Sequence, residues 1–477
     1  MSHTRRDFLK HTGCAALGTS LLAAGIQDFA LVRAFADTNA TDYKALVCVF
    51  MQGGNDGNNT VVPVDATRFA QYNAARQAAG LALPAPGQSN GLLPINPASG
   101  GQYGLHPSMT EMQTLFTQNK AAIVCNAGPL VEPLTKTTYQ NGTGKKPLQL
   151  FSHSDQVNQW LTAISNDNSQ TGWGGRTADR AAALNGAATF PQMISIAGVN
   201  LFVTGQSTRP LAIGDSNTPL ASVLPLNNAV NADGLTFTTA QNNARRSAFD
   251  AIRALVTTDK LPRAAADITS SALQTSAALA SANPVINTAF PNTSLGRQLL
   301  QIARLIALRD TLSMKRQIFF AQIGSFDTHS NQTAANGSQA TLLQQVSQAI
   351  KAFYDATVEL GISDKVTTFT HSDFGRTLQP AGAGAAVGSD HAWGNHHFVV
   401  GGAVKGGDFY GAYPTLVMGG PDDTDTGSNP RGRWIPTTSV EQYGATLATW
   451  YGLSASDLPL VFPFVGRFAS PNLGFMF

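Results

Sequence analysis

KALVCVFM, residues Lys44 to Met51, is an almost unbroken apolar run, and it opens directly into QGGNDGNN, residues Gln52 to Asn59. A run that does not alternate suits a strand covered on both faces, as in the parallel sheets of α/β proteins. The glycines that follow let the backbone turn sharply beside a ligand. Similar apolar runs recur at Ala121 to Cys125, Met193 to Ala197, Ile318 to Ile323, Val366 to Thr370 and Phe398 to Gly402. Helical patterns lie between them at Pro107 to Phe116, Ser154 to Ala163, Arg176 to Leu184, Leu295 to Leu312 and Leu342 to Leu360. This alternation predicts an α/β sandwich, a mostly parallel sheet with helices on both faces. Ligands of such sheets gather beyond the carboxyl ends of the strands. The loops after the runs at 44, 318 and 366 each soon reach an aspartate: Asp56, Asp327 and Asp373.

The histidines sharpen that expectation. Of nine in the chain, five fall between His329 and His397, in three polar segments that border apolar runs. The segments are GSFDTH (Gly324 to His329), HSDFGR (His371 to Arg376) and SDHAWGNHH (Ser389 to His397). Each pairs aspartate with histidine, the oxygen and nitrogen donors of a hydrolytic Zn, Mn or Mg centre. Asp327 and His329, two apart, project to one side if the strand continues. Asp390, His391 and His396 are further candidate ligands, with His371 and His397 open between ligand and packing roles. Asp56 is read either as a ligand or as a turn residue, since a turn needs Asn, Asp and Gly anyway. Ser152, ahead of the helix containing Trp160, either caps that helix or serves as a nucleophile whose target anion the free N–H groups would hold. Arg376 either clamps an anionic substrate or pairs with a carboxylate. His106 is read as helping to start a helix, and Trp173 and Arg176 as core packing, with pocket lining the alternative.

Composition narrows the classes. With 43% hydrophobic residues the chain can bury a large core, while a formal net charge of +2 and 13% charged residues give no basic stripe, which argues against nucleic acid as a partner. Thr4-Arg5-Arg6-Asp7-Phe8-Leu9-Lys10, a short apolar stretch from Cys14 to Ile26 and Ala34-Phe35-Ala36 fit a twin-arginine signal peptide over residues 1–36. That implies periplasmic or secreted localisation, the twin-arginine export machinery as a partner and a metal installed before export. No later stretch is long enough to span a membrane, and no stable membrane anchor is expected. Cys48 and Cys125, in apolar runs, read as buried thiols, too few for a disulfide framework. Residues 37–477 read as one domain with a helical insertion or cap at 227–292. Gly87 to Gly91 has the nucleophile-elbow spacing but no strand before it, and Gly382 to Gly388 lacks dinucleotide-loop spacing, so neither is taken as a site.

The twin-arginine start, FMQGGNDG (Phe50 to Gly57), Leu105-His106-Pro107, Ser152-His153, Gly172-Trp173, FDTH (Phe326 to His329), SDFGRT (Ser372 to Thr377), Asp390-His391 and GGAVKGG (Gly401 to Gly407) resemble the exported bacterial family called domain of unknown function 1501. That family is similar to the alkaline phosphatase and sulfatase superfamily. The resemblance implies an alkaline phosphatase-like sandwich with one or two divalent ions (Zn, Mn, Mg or Ca) at the strand ends. By it, Asp56 would be the metal carboxylate of the first strand, Asp327, His329 and His391 would hold one ion, Asp373 the other, and Ser152 would attack. The implied activity is metal-dependent hydrolysis of a phosphate or sulfate ester in an anionic small molecule or polymer. The chain departs from the superfamily pattern at Phe374, where an Asp-His pair is usual, and at the single residue separating Asp327 from His329. The alternatives are a non-catalytic, metal-stabilised binding or assembly protein on the same fold and a metal-free serine hydrolase around Ser152 and His153.

Overall fold

The opening run is the middle of a nine-stranded sheet. The computed structural model describes residues 40–222, 238–254, 260–280, 282, 284–426 and 428–477, so the signal at 1–36 and part of the 227–292 segment lie outside the described residues. In chain order the strands of this sheet are β1 (Lys44–Met51), β2 (Ala121–Gly128), β3 (Met193–Ser195), β4 (Leu211–Ala212), β5 (Arg316–Ile323), β6 (Val366–Ser372), β7 (Asn395–Gly401), β8 (Phe409–Tyr410) and β9 (Thr438–Ser439). Their spatial order is β8-β2-β7-β6-β1-β5-β3-β4, with β9 also pairing β2. β1 runs parallel to both neighbours, β5 and β6, while β7 is antiparallel to β2 and β6. The expected mostly parallel α/β sheet is therefore present.

Alternation along β1 divides the core in two, because successive side chains leave a strand on opposite faces. Ala45, Val47, Val49 and Met51 enter one cluster, which also takes Leu299, Ile302 and Ile306 from the helix Ser294–Ala307 and Val346, Ile350 and Phe353 from Ser338–Glu359. Leu46, Cys48 and Phe50 enter the other, with Trp160, Trp173, Tyr443 and Leu447. Those four come from helices α1 (His153–Thr162), α2 (Trp173–Ala181) and α3 (Val440–Tyr451). The continuous apolar reading of β1 is thus a consequence of two covered faces.

Helices also form at Thr239–Ala254 and Lys260–Ala280. Among the described residues no helix is long and apolar enough to cross a membrane. Beyond the sheet, Arg376–Ala381 and Gly388–His391 make an antiparallel ribbon in which Arg376 pairs with His391. Sequence reading missed this ribbon, whose strands are short and polar.

Topology then fixes where the chemistry collects. β6, β1 and β5 are adjacent and parallel, so their carboxyl ends deliver Asp373, Gly53 and Asp327 side by side. Glycine is obligatory at the junction. Gly53 has φ +116°, and a Cβ on it would sit 2.4 Å from the Asp327 nitrogen; Gly54 has φ +85°, and its Cβ would strike the Phe374 ring. Only residues without a side chain let these loops touch.

Candidate metal centre

Four donor atoms converge at these strand ends. The Asp327 Oδ1 lies 3.5 Å from His153 Nε2, 3.2 Å from His329 Nε2 and 3.4 Å from His391 Nε2. The Nε2 atoms of His329 and His391 are 2.8 Å apart. Among the described residues, His153, Asp327 and His391 form a group whose donor atoms all fall within 4.8 Å of one another.

Each imidazole is turned by an acceptor on its far nitrogen. His153 Nδ1 is 2.7 Å from Asp373 Oδ2, His329 Nδ1 is 3.1 Å from Asp390 Oδ1, and His391 Nδ1 is 2.8 Å from the Phe151 carbonyl. Donation from Nδ1 leaves the lone pair on Nε2, the tautomer a metal ligand needs. The Phe151 carbonyl is aimed by strained backbone, φ +72°, and Ser325, just before Phe326 and Asp327, has φ +74°. Unless one ring takes up a second proton, the His329 and His391 lone pairs face each other, and His153 Nε2 is buried with no hydrogen-bond partner. A cation resolves both conflicts. Ligand bonds of about 2.0–2.1 Å around one ion suit the spacing of His153, Asp327 and His391, with His329 beside the latter two. The residues fit one ion.

Charge is tuned around the cluster. Burial alone would raise the Asp327 carboxyl, but the Arg376 hydrogen bond and charge, with His329 and His153, hold it below the usual carboxylate range. Hydrogen bonding to Asp373 pushes His153 up, whereas burial, with the positive charge of Arg376 and the neighbouring imidazoles, pushes His391 down. Burial would likewise raise Asp390, but Arg431, in close contact with its Oδ2, and His329 hold it low.

Among the described residues, the carboxylates and histidine expected at a second ion are otherwise engaged. Asp56 is fully buried. Its Oδ2 accepts from Arg76 Nη1 and Gln332 Nε2, both at 2.6 Å, and its Oδ1 from the Asn58 amide and Arg76 Nη2. This carboxylate is neutralised and saturated by protein donors, so the ligand role expected of Asp56 does not fit. Asp373 accepts from the Gly53 amide at 2.9 Å and from His153, so it is placed to orient a candidate ligand, not to be one. Asp390 plays the same part for His329. His396 lies inside β7, stacked on Tyr413, with Nδ1 accepting from the Asn126 amide, away from the converging donors.

Two catalytic expectations also change. Arg376 is fully buried, donating to the Gly53, Gly54, Phe326 and Ser389 carbonyls and, at 2.5 Å, to Asp327 Oδ1. It braces the loops and Asp327 and cannot reach out to clamp a substrate. Ser152 sits at the start of α1, but its Oγ donates to Asp155 Oδ2 at 2.6 Å and makes no cap bond. His153, the neighbour of the favoured serine, was missed as a candidate ligand; a histidine on the first turn of a helix aimed at the strand ends was the signal available. Of the residues given other roles, His106 holds the Ala334 carbonyl, Trp173 is core, and Arg176 is buried against the Thr162 and Val461 carbonyls.

A cleft of about 470 Å³ opens beside the cluster, walled by Gln52, His153, Ser154, Val157, Ser325 and Asp327. Beside the cluster, Arg431 pairs with Asp390, and Arg433 donates to the His391 carbonyl and lies over the Phe151 ring.

The sequence matches the family described as "Protein of unknown function (DUF1501)" over residues 43–424. The chain belongs to that family. No curated protein matches this DUF1501 chain in sequence. Solved structures similar to it include Ps i-CgsB in complex with a neocarrahexaose, at 9% identity over 90% of this chain and 77% of that one, TM-score 0.35. A sulfatase from Pseudoalteromonas sp. is similar at 10% identity over 77% and 64% of the two chains, TM-score 0.26. A mutant of the alkaline phosphatase PafA is similar at 10% identity over 71% and 64%, TM-score 0.27.

Proposed function

We propose that the chain is an exported, metal-dependent hydrolase of phosphate or sulfate esters. The observation that carries this reading is the convergence of three imidazole Nε2 atoms and one carboxylate oxygen, each ring turned by its own acceptor. Three nitrogens and one oxygen suit Zn or a similar nitrogen-accepting ion, whereas Mg and Ca take oxygen-rich sets. Such an ion, when bound, polarises an ester oxygen and makes water a better nucleophile. The chain's own residues supply the rest. Arg376 holds Asp327 ionised and in place, and Asp373 and Asp390 aim His153 and His329. The twin-arginine motif at Arg5-Arg6 supports export of a folded, metal-loaded protein.

Elemental analysis of the purified protein, followed by a panel of nitrophenyl phosphate, phosphodiester and sulfate substrates, tests the reading. One ion per chain and turnover of at least one substrate are expected, with Asp327→Ala losing the ion and about a hundredfold or more in kcat/KM. No stoichiometric metal, or activity unchanged in Asp327→Ala, overturns it. One observation favours a second reading, a metal-stabilised binding protein: the buried Phe374 ring lies 4.7 Å from the His153 ring and 4.6 Å from that of His391, between centroids. That reading expects bound metal, a Tm lowered by chelator and no turnover.

A further inference from the structure

Building on the hydrolase reading, we propose that the group attacking the ester is water and that the start of α1, where a serine nucleophile is expected, supplies a metal ligand instead, His153. The Ser152 hydroxyl donates to Asp155 Oδ2 at 2.6 Å and lies 3.1 Å from the Ser154 hydroxyl, which shares the same carboxylate. Consecutive helical residues differ in direction by about 100°. With His153 turned onto Asp327, Ser152 is carried off the cleft wall, which is built from His153 and Ser154 at this point. Asp373 locks the His153 ring through Nδ1, leaving the buried Nε2 facing Asp327 without a hydrogen-bond partner. Both mature thiols are also out of reach: Cys48 and Cys125 are buried within β1 and β2, and burial pushes each well above the ordinary thiol range.

The step is a single displacement. The oxygen of one water bonds to phosphorus or sulfur as the bond from that atom to the ester oxygen breaks. The ester oxygen leaves with the electron pair, takes one of the water's protons and departs as the alcohol; the other proton stays with the phosphate or sulfate. No enzyme-bound ester forms, and no co-reactant besides water is needed.

The metal-loaded full-length protein and two variants, Ser152→Ala and His153→Gln, test this by metal stoichiometry, turnover of nitrophenyl phosphate and sulfate, and acid-quench mass spectrometry. Ser152→Ala is expected to keep its ion and a kcat within about threefold of wild type, because its hydroxyl neither caps α1 nor reaches the cleft. His153→Gln is expected to lose metal affinity by about tenfold or more. The quenched wild type should carry no phosphoryl or sulfuryl group. An adduct on Ser152, Ser154 or Ser325, or a fall of about a hundredfold in Ser152→Ala with the ion retained, overturns the proposal. Retention of the ion at wild-type affinity in His153→Gln also overturns it. Should that variant not fold, X-ray absorption of the wild type counts the imidazoles on the ion, and fewer than three overturns the ligand role. A wild type that binds metal but turns over nothing overturns the hydrolase reading, and this proposal with it.

Discussion

Two sets of three histidines sit within reach of the same strand ends, and they have opposite fates. His153, His329 and His391 are partly exposed, lie on a helix start or in loops and ribbon ends, and have one nitrogen tied to an acceptor. His371, His396 and His397 lie inside β6 and β7, fully buried. His371 and His397 pack on Trp160 at 4.9 and 4.5 Å between ring centroids, and both lie near Tyr443. Burial pushes His371 and His396 down to about 3, and His397 well below the ordinary imidazole range. The lesson is that neutrality alone does not make an imidazole a ligand. The first set has lone pairs aimed at a shared carboxylate, whereas the second set is neutral because burial excludes water, an effect that outweighs even the Asp56 charge near His396.

The most forceful way to break this comparison is to remove one histidine from each set. His391→Ala should lower metal affinity by roughly a hundredfold or more, since it deletes a ligand, whereas His397→Phe should leave stoichiometric metal in place. Equal loss in both would show that the buried set takes part in metal binding. A smaller effect separates the ligands from the groups that aim them. Asp373→Asn should cost about 10–100-fold in metal affinity, because the amide cannot hold the His153 N–H as the carboxylate does. Asp390→Asn should fall at the low end of that range, because Asp390 is about a third exposed and divided between His329 and Arg431. Isothermal titration of the stripped proteins decides the ranking, and an Asp390 effect exceeding that of Asp373 would reverse the assignment of His153 as the better-held ligand.

Much of this comparison is legible in the sequence, and the remainder fails for identifiable reasons. The apolar runs place β1, β5 and β6, and with them the approach of Asp327 and Asp373, because doubly covered strands need no alternation. Asp327, His329 and His391 stand out together as oxygen and nitrogen donors past apolar runs. Asp56 misleads, because its partner Arg76 comes from a separate helix, Ala66–Arg76, whose burial against the loop no local pattern announces. His396 and His397 mislead because they lie just across the start of β7 at Asn395, and a boundary displaced by a few residues turns a loop ligand into a core residue. Arg376 is tied down by carbonyls that the glycines at 53 and 54 bring close, a contact visible only in three dimensions.

At neutral pH the buried set should be nearly silent, so its contribution is read by acidification. An ordinary imidazole titrates near 6.5 in the unfolded chain. His397, held well below that value by burial, stays neutral in the native state, so below pH 6.5 the unfolded chain binds a proton that the native chain refuses. Stability from this group is therefore complete above pH 6.5 and is lost progressively as pH falls toward the depressed native value. In metal-free protein, where the other set holds no ion, His397→Phe should change stability by no more than about 1 kcal/mol at pH 7.5, since both ring nitrogens lack protein hydrogen-bond partners and the ring lies among Trp160 and Tyr443. Below pH 6.5 the variant should gain on the wild type by about 1.4 kcal/mol per pH unit, the worth of one proton. Urea unfolding at pH 7.5, 6 and 5 measures that slope. Equal slopes in variant and wild type would mean that His397 takes up its proton in the native state, which would place a charge or water beside it and remove the distinction between the two sets.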